Sequence, residues 1–412
     1  MLKVRTMDIR SINGIKDLFV GFNPGLNFIC GPNGIGKTTI LNCISSTFKR
    51  KPSPRLFPHI NANYGGWAIE VDHDNHPAME YFYVGDHPEN IFDFEKEGFR
   101  EYNSDFRDDC IDFNIQSRVF EYNTSSVRTP FNHIKSWFYR NYYKNEMGIN
   151  KFYNLQLAQK CFNLLDPNIS FGRVSEAIVT ERHPLSRNFQ YKRQLEKKQD
   201  PNSRYMPPIR KELDMFVNTS QGEVLVEFLS SGYKSCLTVL LGIIRGVEGS
   251  SMISQVDEFR GIIIIDEIDL HLHPQWQAKL VYAIRELVPK AQVICTTHSP
   301  HIIQVAKPEE VIVLGEDKYG GIHVKQIPSH SEYGFQGWTI EEILTDVMGL
   351  EQSMSPLFLR SLENFNKALR INDREVLMAE YKKLRKMVHP QNPLATLLSV
   401  QAGELMIGEN FR

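Results

Sequence analysis

Residues 31–38 have the sequence Gly31-Pro32-Asn33-Gly34-Ile35-Gly36-Lys37-Thr38, which matches the phosphate-binding pattern GxxxxGK[ST]. The apolar run Leu26–Cys30 before it favours a strand, and the spacing of Ile40, Leu41 and Ile44 after it favours a helix. In this order, backbone N–H groups and the helix N-terminus can surround phosphate oxygens. The stretch therefore predicts a P-loop α/β fold that binds ATP, and the alternative of a mere tight turn lacks this context.

The side chains of the loop have predictable roles. Lys37 is expected to reach the β- and γ-phosphates of ATP, and the Thr38 hydroxyl is expected to hold Mg²⁺. ATP and Mg²⁺ are thus the predicted cofactors. The predicted nucleotide-binding residues of this segment are Asn33, Gly34, Gly36, Lys37, Thr38 and Thr39.

A second apolar strand, Ile262–Ile265, ends in the adjacent carboxylates Asp266 and Glu267. Asp266 is expected to bind Mg²⁺ through water, and Glu267 is expected to polarise the attacking water as general base. Strands often end in acidic turn residues, so the pair has weight only together with the P-loop. Together the two motifs predict hydrolysis of ATP as well as binding.

Three further segments indicate a branch of the P-loop proteins. Leu229-Ser230-Ser231-Gly232-Tyr233-Lys234-Ser235 resembles a degenerate ABC signature LSGGQ, Asp269 fits a D-loop, and Thr297-His298-Ser299-Pro300 lies where ABC-type heads place a switch histidine. The motifs occur in the order of the RecF/OLD/SMC-like branch of ABC ATPases, which the chain resembles. This resemblance implies an α/β ABC-type ATPase head with a parallel-sheet core, an antiparallel β lobe, a helical insertion and a helical C-terminal region.

The same resemblance implies that two heads work together as a homodimer or higher oligomer. Ser230 and Gly232 of one head would contact the γ-phosphate of ATP on the other head, while His298 would contact it in its own head. Ser231 stands where the common signature has glycine. Two plainer alternatives stay open: Ser230 or Ser231 as the cap of a helix before Tyr233, and His298 as a core histidine. The implied catalytic residues are Glu267, His298 and Lys37, with Asp269 added to the nucleotide-binding set.

Two C-terminal segments, Tyr333–Leu344 and Tyr381–Glu404, are similar to the PtuA family of Septu antiphage ATPases and its retron-associated relatives. That resemblance implies an ATPase subunit of a defence complex, with a separate PtuB-like HNH nuclease as partner. A RecF-type repair ATPase that binds DNA directly is the alternative, and a transporter subunit is disfavoured. The predicted domains are 1–130 and 216–328 for the two halves of the head, 131–215 for a helical insertion with a basic mobile loop, and 329–412 for a helical region that could dock a partner.

The formal net charge of −2 gives no overall reason to expect nucleic-acid binding. Local basic stretches could still bind nucleic acid: Glu181–Glu212, and Arg128–Lys144 with its interleaved aromatic residues. A solvated loop and an aromatic helical core are the plainer interpretations of these stretches.

A metal site at His271-Leu272-His273 lacks a third ligand, so polar loop positions explain this tripeptide better. The cysteines are scattered, the N-terminus has no apolar signal, and no apolar run approaches the roughly 20 residues that span a bilayer. These features predict a cytoplasmic protein without a membrane partner.

Overall fold

The computed structural model describes residues 2–49, 53–73, 76–85, 110–113, 130–143, 149–178, 211–249, 255–270, 272–326, 333–350 and 354–407. Contacts divide the chain into two compact units, Met1–Gly349 and Leu350–Arg412. No helix in the described ranges is both long enough and apolar enough to cross a membrane.

The strands in the described ranges are β1 Leu2–Ile12, β2 Ile15–Gly21, β3 Leu26–Cys30, β4 Tyr64–His73, β5 His76–Gly85, β6 Cys110–Phe113, β7 Ser170–Ile178, β8 Lys211–Thr219, β9 Gly222–Leu225, β10 Ile262–Ile265, β11 Gln292–Thr296, β12 Val311–Glu316 and β13 Ile322–Val324. The main helices are α1 Lys37–Lys49, α2 Pro130–Tyr143, α3 Ile149–Leu165, α4 Ser231–Gly249, α5 Pro274–Leu287, α6 Pro300–Val305, α7 Pro356–Arg370, α8 Arg374–Met387 and α9 Pro393–Ile407. A short helical turn Ile340–Glu342 continues into a π-helical turn, Ile343–Val347.

The central sheet has the strand order β13-β12-β3-β11-β10-β6. Strands β12, β3, β11, β10 and β6 are parallel, and β13 pairs with β12 in the antiparallel direction. All residues of β3, β10 and β11 are buried, as expected for parallel strands covered on both faces. Because these three strands are parallel, the P-loop, Asp266 and Thr297 all follow strand ends at the same edge of the sheet.

Alternate residues of β10 enter two different hydrophobic cores, since successive side chains of a strand point to opposite faces. Ile262 and Ile264 join the core formed with α1 and the four-stranded antiparallel sheet β2-β1-β4-β5. Ile263 and Ile265 join the core on the other face. The sequence-predicted combination of a parallel-sheet core and an antiparallel β lobe is confirmed.

The second core contains α2 to α5 and residues from the antiparallel sheet β7-β8-β9. The predicted insertion is helical over α2 and α3, and it also supplies strand β7. Phe335, Ile343 and Val347 are buried in this core, so they belong to the larger unit. The four-segment division predicted from the sequence stays a prediction.

The smaller unit contains the helices α7, α8 and α9, whose core includes Phe365, Leu377, Leu384 and Leu398. Capping side chains fix two of its helix starts. Ser355 accepts a hydrogen bond from the Phe358 amide, and Asp373 accepts one from the Val376 amide. The predicted helical C-terminal region is confirmed over α7 to α9.

The hypothesis of nucleic-acid binding gains nothing from the described part of Arg128–Lys144. Trp137 and Phe138 are buried, and Lys135 is 7% exposed and pairs with Glu227. The plainer interpretation, an aromatic helical core, therefore fits α2. Residues 179–210, which contain most of the other basic stretch, lie outside the described residues.

Candidate active site

The P-loop between β3 and α1 depends on backbone conformations that glycine adopts readily. Gly31, Gly34 and Gly36 have φ angles of 141°, 79° and 99°. At Gly31 a Cβ atom would also lie 2.5 Å from the carbonyl oxygen of Leu314 in the neighbouring strand β12. The loop thus requires glycine at Gly31 for two independent reasons.

The side chain of Lys37 reaches back to the first two residues of this loop. Its Nζ donates hydrogen bonds to the carbonyl oxygens of Gly31 (2.9 Å) and Pro32 (2.8 Å). Burial lowers the pKa of Lys37, and the nearby Cys30 and the acidic side chains of the site, Asp266 first among them, oppose that shift. The amine therefore sits at the base of the phosphate loop with acidic groups close by.

Asp266 connects the P-loop helix to two strands of the sheet. Its Oδ1 accepts hydrogen bonds from Thr38 Oγ1 (3.2 Å) and from Thr296 Oγ1 (2.5 Å). Thr38 is the second residue of α1, Asp266 directly follows β10, and Thr296 is the last residue of β11. A carboxylate and a hydroxyl oxygen this close together have the chemistry that Mg²⁺ prefers in proteins. The two sequence-predicted Mg²⁺ ligands are thus neighbours.

Glu267 has an unusual backbone conformation for a residue other than glycine, with φ of 45°. Its amide donates a hydrogen bond to Thr296 Oγ1 (2.6 Å), and the next amide, that of Ile268, donates to the Thr296 carbonyl oxygen (3.0 Å). One residue of β11 therefore anchors two successive amides of the acidic turn.

The switch segment is attached to the D-loop aspartate. Asp269 Oδ1 accepts from Thr297 Oγ1 (2.6 Å) and from the His298 amide (3.2 Å). Ser299 caps α6 by accepting from the amides of His301 and Ile302, and its hydroxyl donates to Gln277 Oε1 at 2.5 Å. The histidine is thus flanked on both sides by hydrogen-bonded residues.

His298 is exposed, which contradicts the alternative that it is a core histidine. Partial burial lowers its pKa, and the positive charge of Lys37 lowers it further. Asp269, Glu267 and Asp266 act in the opposite direction and do not cancel the shift. These effects favour the neutral form of the imidazole, which shares the electrostatic environment of the P-loop lysine.

The segment resembling an ABC signature forms the start of α4. Ser230 Oγ accepts a hydrogen bond from the Tyr233 amide (3.3 Å), so the helix-cap interpretation of Ser230 is confirmed. Ser230 and Ser231 are exposed, whereas Gly232 is buried. A Cβ at Gly232 would lie 2.5 Å from Cδ1 of Trp276 on α5, so this glycine allows α4 and α5 to approach. The contact of this segment with ATP on a second head stays a prediction.

Two residues that the sequence did not single out contribute to the site. Thr296 holds Asp266 and Glu267, and its only sequence signal is a polar residue at the end of an apolar strand. Asn13, in the turn between β1 and β2, donates to Thr39 Oγ1 (3.2 Å). Its Oδ1 accepts from the Phe57 amide (2.9 Å), so it joins the lobe to the P-loop helix.

The structure gives no support to a metal site at His271-Leu272-His273. His273 Nδ1 accepts from the Gln275 amide at the start of α5, which is a capping role. His271 lies outside the described residues. Among the residues that the structure does describe, no group of three or more His, Cys, Asp or Glu side chains could hold a metal ion.

Comparisons with known proteins identify the family of the chain. Residues 26–304 match the family described as "AAA domain, putative AbiEii toxin, Type IV TA system". The chain is 34% identical over 434 residues to Septu protein PtuA of Bacillus thuringiensis, covering 98% of both proteins. It is also 34% identical over 109 residues to "Retron Vc95 probable ATPase" of Vibrio cholerae serotype O1 biovar El Tor, covering 26% of this chain and 21% of that protein.

Among solved structures, the SMC head domain from Thermotoga maritima matches with a TM-score of 0.42 and 12% identity, covering 79% of this chain and 100% of that one. That likeness is too distant to bear on function. The match over nearly the full length of a PtuA protein, together with the P-loop and the acidic pair at one sheet edge, is decisive. The chain belongs to the PtuA family of Septu antiphage proteins and is a nucleotide-binding ATPase.

Proposed function

We propose that this chain is the ATP-hydrolysing subunit of an antiphage defence complex, in which ATP-dependent pairing of two heads controls a partner HNH nuclease. The observation that carries the proposal is the 34% identity to a Septu protein PtuA over 98% of the chain. The placement of the P-loop, Asp266 and the switch segment at one edge of the parallel sheet supports the chemical part.

ATP binds at the P-loop in this proposal. The backbone amides at Asn33, Gly34 and Gly36 and the N-terminus of α1 receive the phosphates, and Lys37 supplies a positive charge to the β- and γ-phosphates. Thr38 and Asp266 would hold Mg²⁺, which would offset phosphate charge. Thr38 and Asp266 support this because the hydrogen bond between them puts both oxygen ligands in one place.

Hydrolysis then depends on Glu267 and His298. Glu267 accepts a proton from the attacking water as general base, while His298 hydrogen-bonds the γ-phosphate and orients it. The lowered pKa of His298 supports a role in which the imidazole is neutral before the nucleotide binds. Asp269 positions the histidine through the His298 amide.

The second head completes the site in this proposal. Ser230 is exposed at the beginning of α4, a helix of 19 residues whose N-terminal amides favour an anion. Ser230 and the backbone of Gly232 would therefore contact the γ-phosphate of ATP bound to the partner head. Nucleotide state would control how the heads associate, and through them the nuclease.

Co-purification tests the proposal directly. The tagged chain is expressed with its neighbouring open reading frames as wild type, as Glu267→Gln to retain ATP, and as Lys37→Ala to prevent binding. A stoichiometric HNH-type protein in the eluate, with nuclease activity that differs between the two variants, is the expected result. Recovery of the chain alone, with ATP hydrolysis stimulated by DNA, would instead favour the RecF-type alternative.

A further inference from the structure

Thr296, the last residue of β11, lies centrally at the sheet edge that carries the P-loop and Asp266, although it belongs to no nucleotide-binding motif. It is 1% exposed, and β11 lies between β3, which leads to the P-loop, and β10, which leads to the acidic pair. The register pairs Ile265 with Cys295, so Thr296 stands one step further along, beside Asp266. We propose that Thr296 is a positioning residue for ATP hydrolysis, because its hydroxyl fixes Asp266 and the backbone of Glu267 together.

The direction of the hydrogen bonds follows from the chemistry of a hydroxyl group. The Glu267 amide can only donate, so Thr296 Oγ1 accepts from it at 2.6 Å. The single hydroxyl proton is then given to Asp266 Oδ1 at 2.5 Å, which a carboxylate accepts. Such chains of hydrogen bonds strengthen one another in a buried site. Thr296 therefore ties the side chain of one acidic residue to the backbone of the next.

The backbone conformation of Glu267 explains why these hydrogen bonds matter. A φ of 45° is uncommon for glutamate, and strained conformations persist only where surrounding contacts enforce them. Thr296 supplies two of those contacts, through its hydroxyl to the Glu267 amide and through its carbonyl to the Ile268 amide. Removing the hydroxyl would let the acidic turn relax, and the carboxylate of the general base would lose its direction.

A second anchor connects the same strand end to the P-loop helix. Asp266 Oδ1 accepts from Thr38 Oγ1 as well as from Thr296 Oγ1. Thr38 would still donate to Asp266 after a change at Thr296, so these two oxygen ligands would stay together while the Glu267 amide lost its hydroxyl partner. This separation predicts a loss of turnover with little change in ATP affinity.

The test is steady-state ATP hydrolysis and ATP affinity of Thr296→Val, Thr296→Ser and Thr296→Ala in the full-length chain. We expect Thr296→Val to lower kcat about 10- to 100-fold, the usual effect of losing an outer-shell partner, with KM changed less than about threefold. Thr296→Ser restores the hydroxyl and should remain within about threefold of wild type. If Thr296→Val does not fold, Thr296→Ser must still exceed Thr296→Ala by about tenfold in kcat.

Thr47→Val is the matched control. Thr47 is also a buried threonine, 5% exposed, whose hydroxyl bonds the Cys43 carbonyl and accepts from Trp67 Nε1. The Thr47→Val variant should be less stable than wild type and should keep the wild-type kcat. Wild-type kcat in Thr296→Val, or an equal loss in Thr296→Ser, would overturn the inference.

The inference rests on the proposed role of Glu267, so Glu267→Gln is measured in parallel. If Glu267→Gln hydrolyses ATP at the wild-type rate, the proposed general base is wrong and the inference falls with it. If Glu267→Gln is inactive and Thr296→Val is unimpaired, the proposed function stands and only the positioning role fails.

Discussion

Replacing Gly31 by alanine should damage the P-loop by an amount that the structure allows us to work out. A φ of 141° is unfavourable for alanine and costs about 1–3 kcal/mol. The added methyl group would lie 2.5 Å from the Leu314 carbonyl oxygen, a backbone atom that cannot turn aside, which adds about 1–3 kcal/mol of overpacking. The sum, about 2–6 kcal/mol, is a large part of the roughly 5–15 kcal/mol that stabilises a protein.

Gly34 and Gly21 serve as matched controls that separate the cost of backbone strain from the cost of steric overlap. Gly34 has φ of 79° but nothing within 4 Å of an added Cβ, so Gly34→Ala should cost only about 1–2 kcal/mol of backbone strain. Gly21 has open space and no positive φ, so Gly21→Ala should be nearly neutral. Urea titration followed by circular dichroism measures the series, and ATP titration should show weakened binding for Gly31→Ala. Equal stability of Gly31→Ala and Gly21→Ala would refute the reasoning.

Three further predictions concern the signature helix, a buried ion pair and pH. Gly232→Ala should destabilise the protein by about 1–3 kcal/mol in urea titrations, and by less when Trp276→Leu makes room for the methyl group. Lys135→Met should lower the free energy of unfolding by about 3–5 kcal/mol, because it leaves the carboxylate of Glu227 buried without this lysine. Adding Glu227→Leu should recover much of that loss. Equal stability of the single and double variants would contradict this prediction. Partial desolvation and the nearby charge of Lys37 lower the pKa of His298, so the contribution of the neutral imidazole to stability should be lost as pH falls from about 6.5 towards that lower pKa. The melting temperature of His298→Asn should therefore decline less than that of wild type between about pH 7.5 and pH 5.5, and parallel declines would exclude the effect.

Much of the candidate site could be predicted from the sequence, because phosphate binding requires particular residue types at fixed spacing. The glycines and Lys37 of the P-loop and the strand Ile262–Ile265 carry local signals, and the structure confirms a strand, loop and helix at Leu26–Lys49. The hydrogen bond between Thr38 and Asp266 joins residues 228 positions apart, as the paired motifs predict.

Other features depend on contacts that no local pattern reveals. The strand Ile15–Gly21 is not among the elements predicted from the sequence, and its place follows from antiparallel pairing with β1 in the folded sheet. Thr296 has the composition of an ordinary strand end, and its importance follows only from its position beside Asp266 in the folded sheet. Likewise, the sequence gives no sign that Gly232 faces an indole ring on another helix.

Phosphate release and bound ATP, measured together for wild type and Glu267→Gln, test the central claim that the P-loop and the acidic pair form one hydrolytic site. We predict that Glu267→Gln binds ATP as tightly as wild type, retains it unhydrolysed, and releases phosphate about 100-fold or more slowly. Wild-type phosphate release by Glu267→Gln would contradict the claim, since the water would then be activated elsewhere.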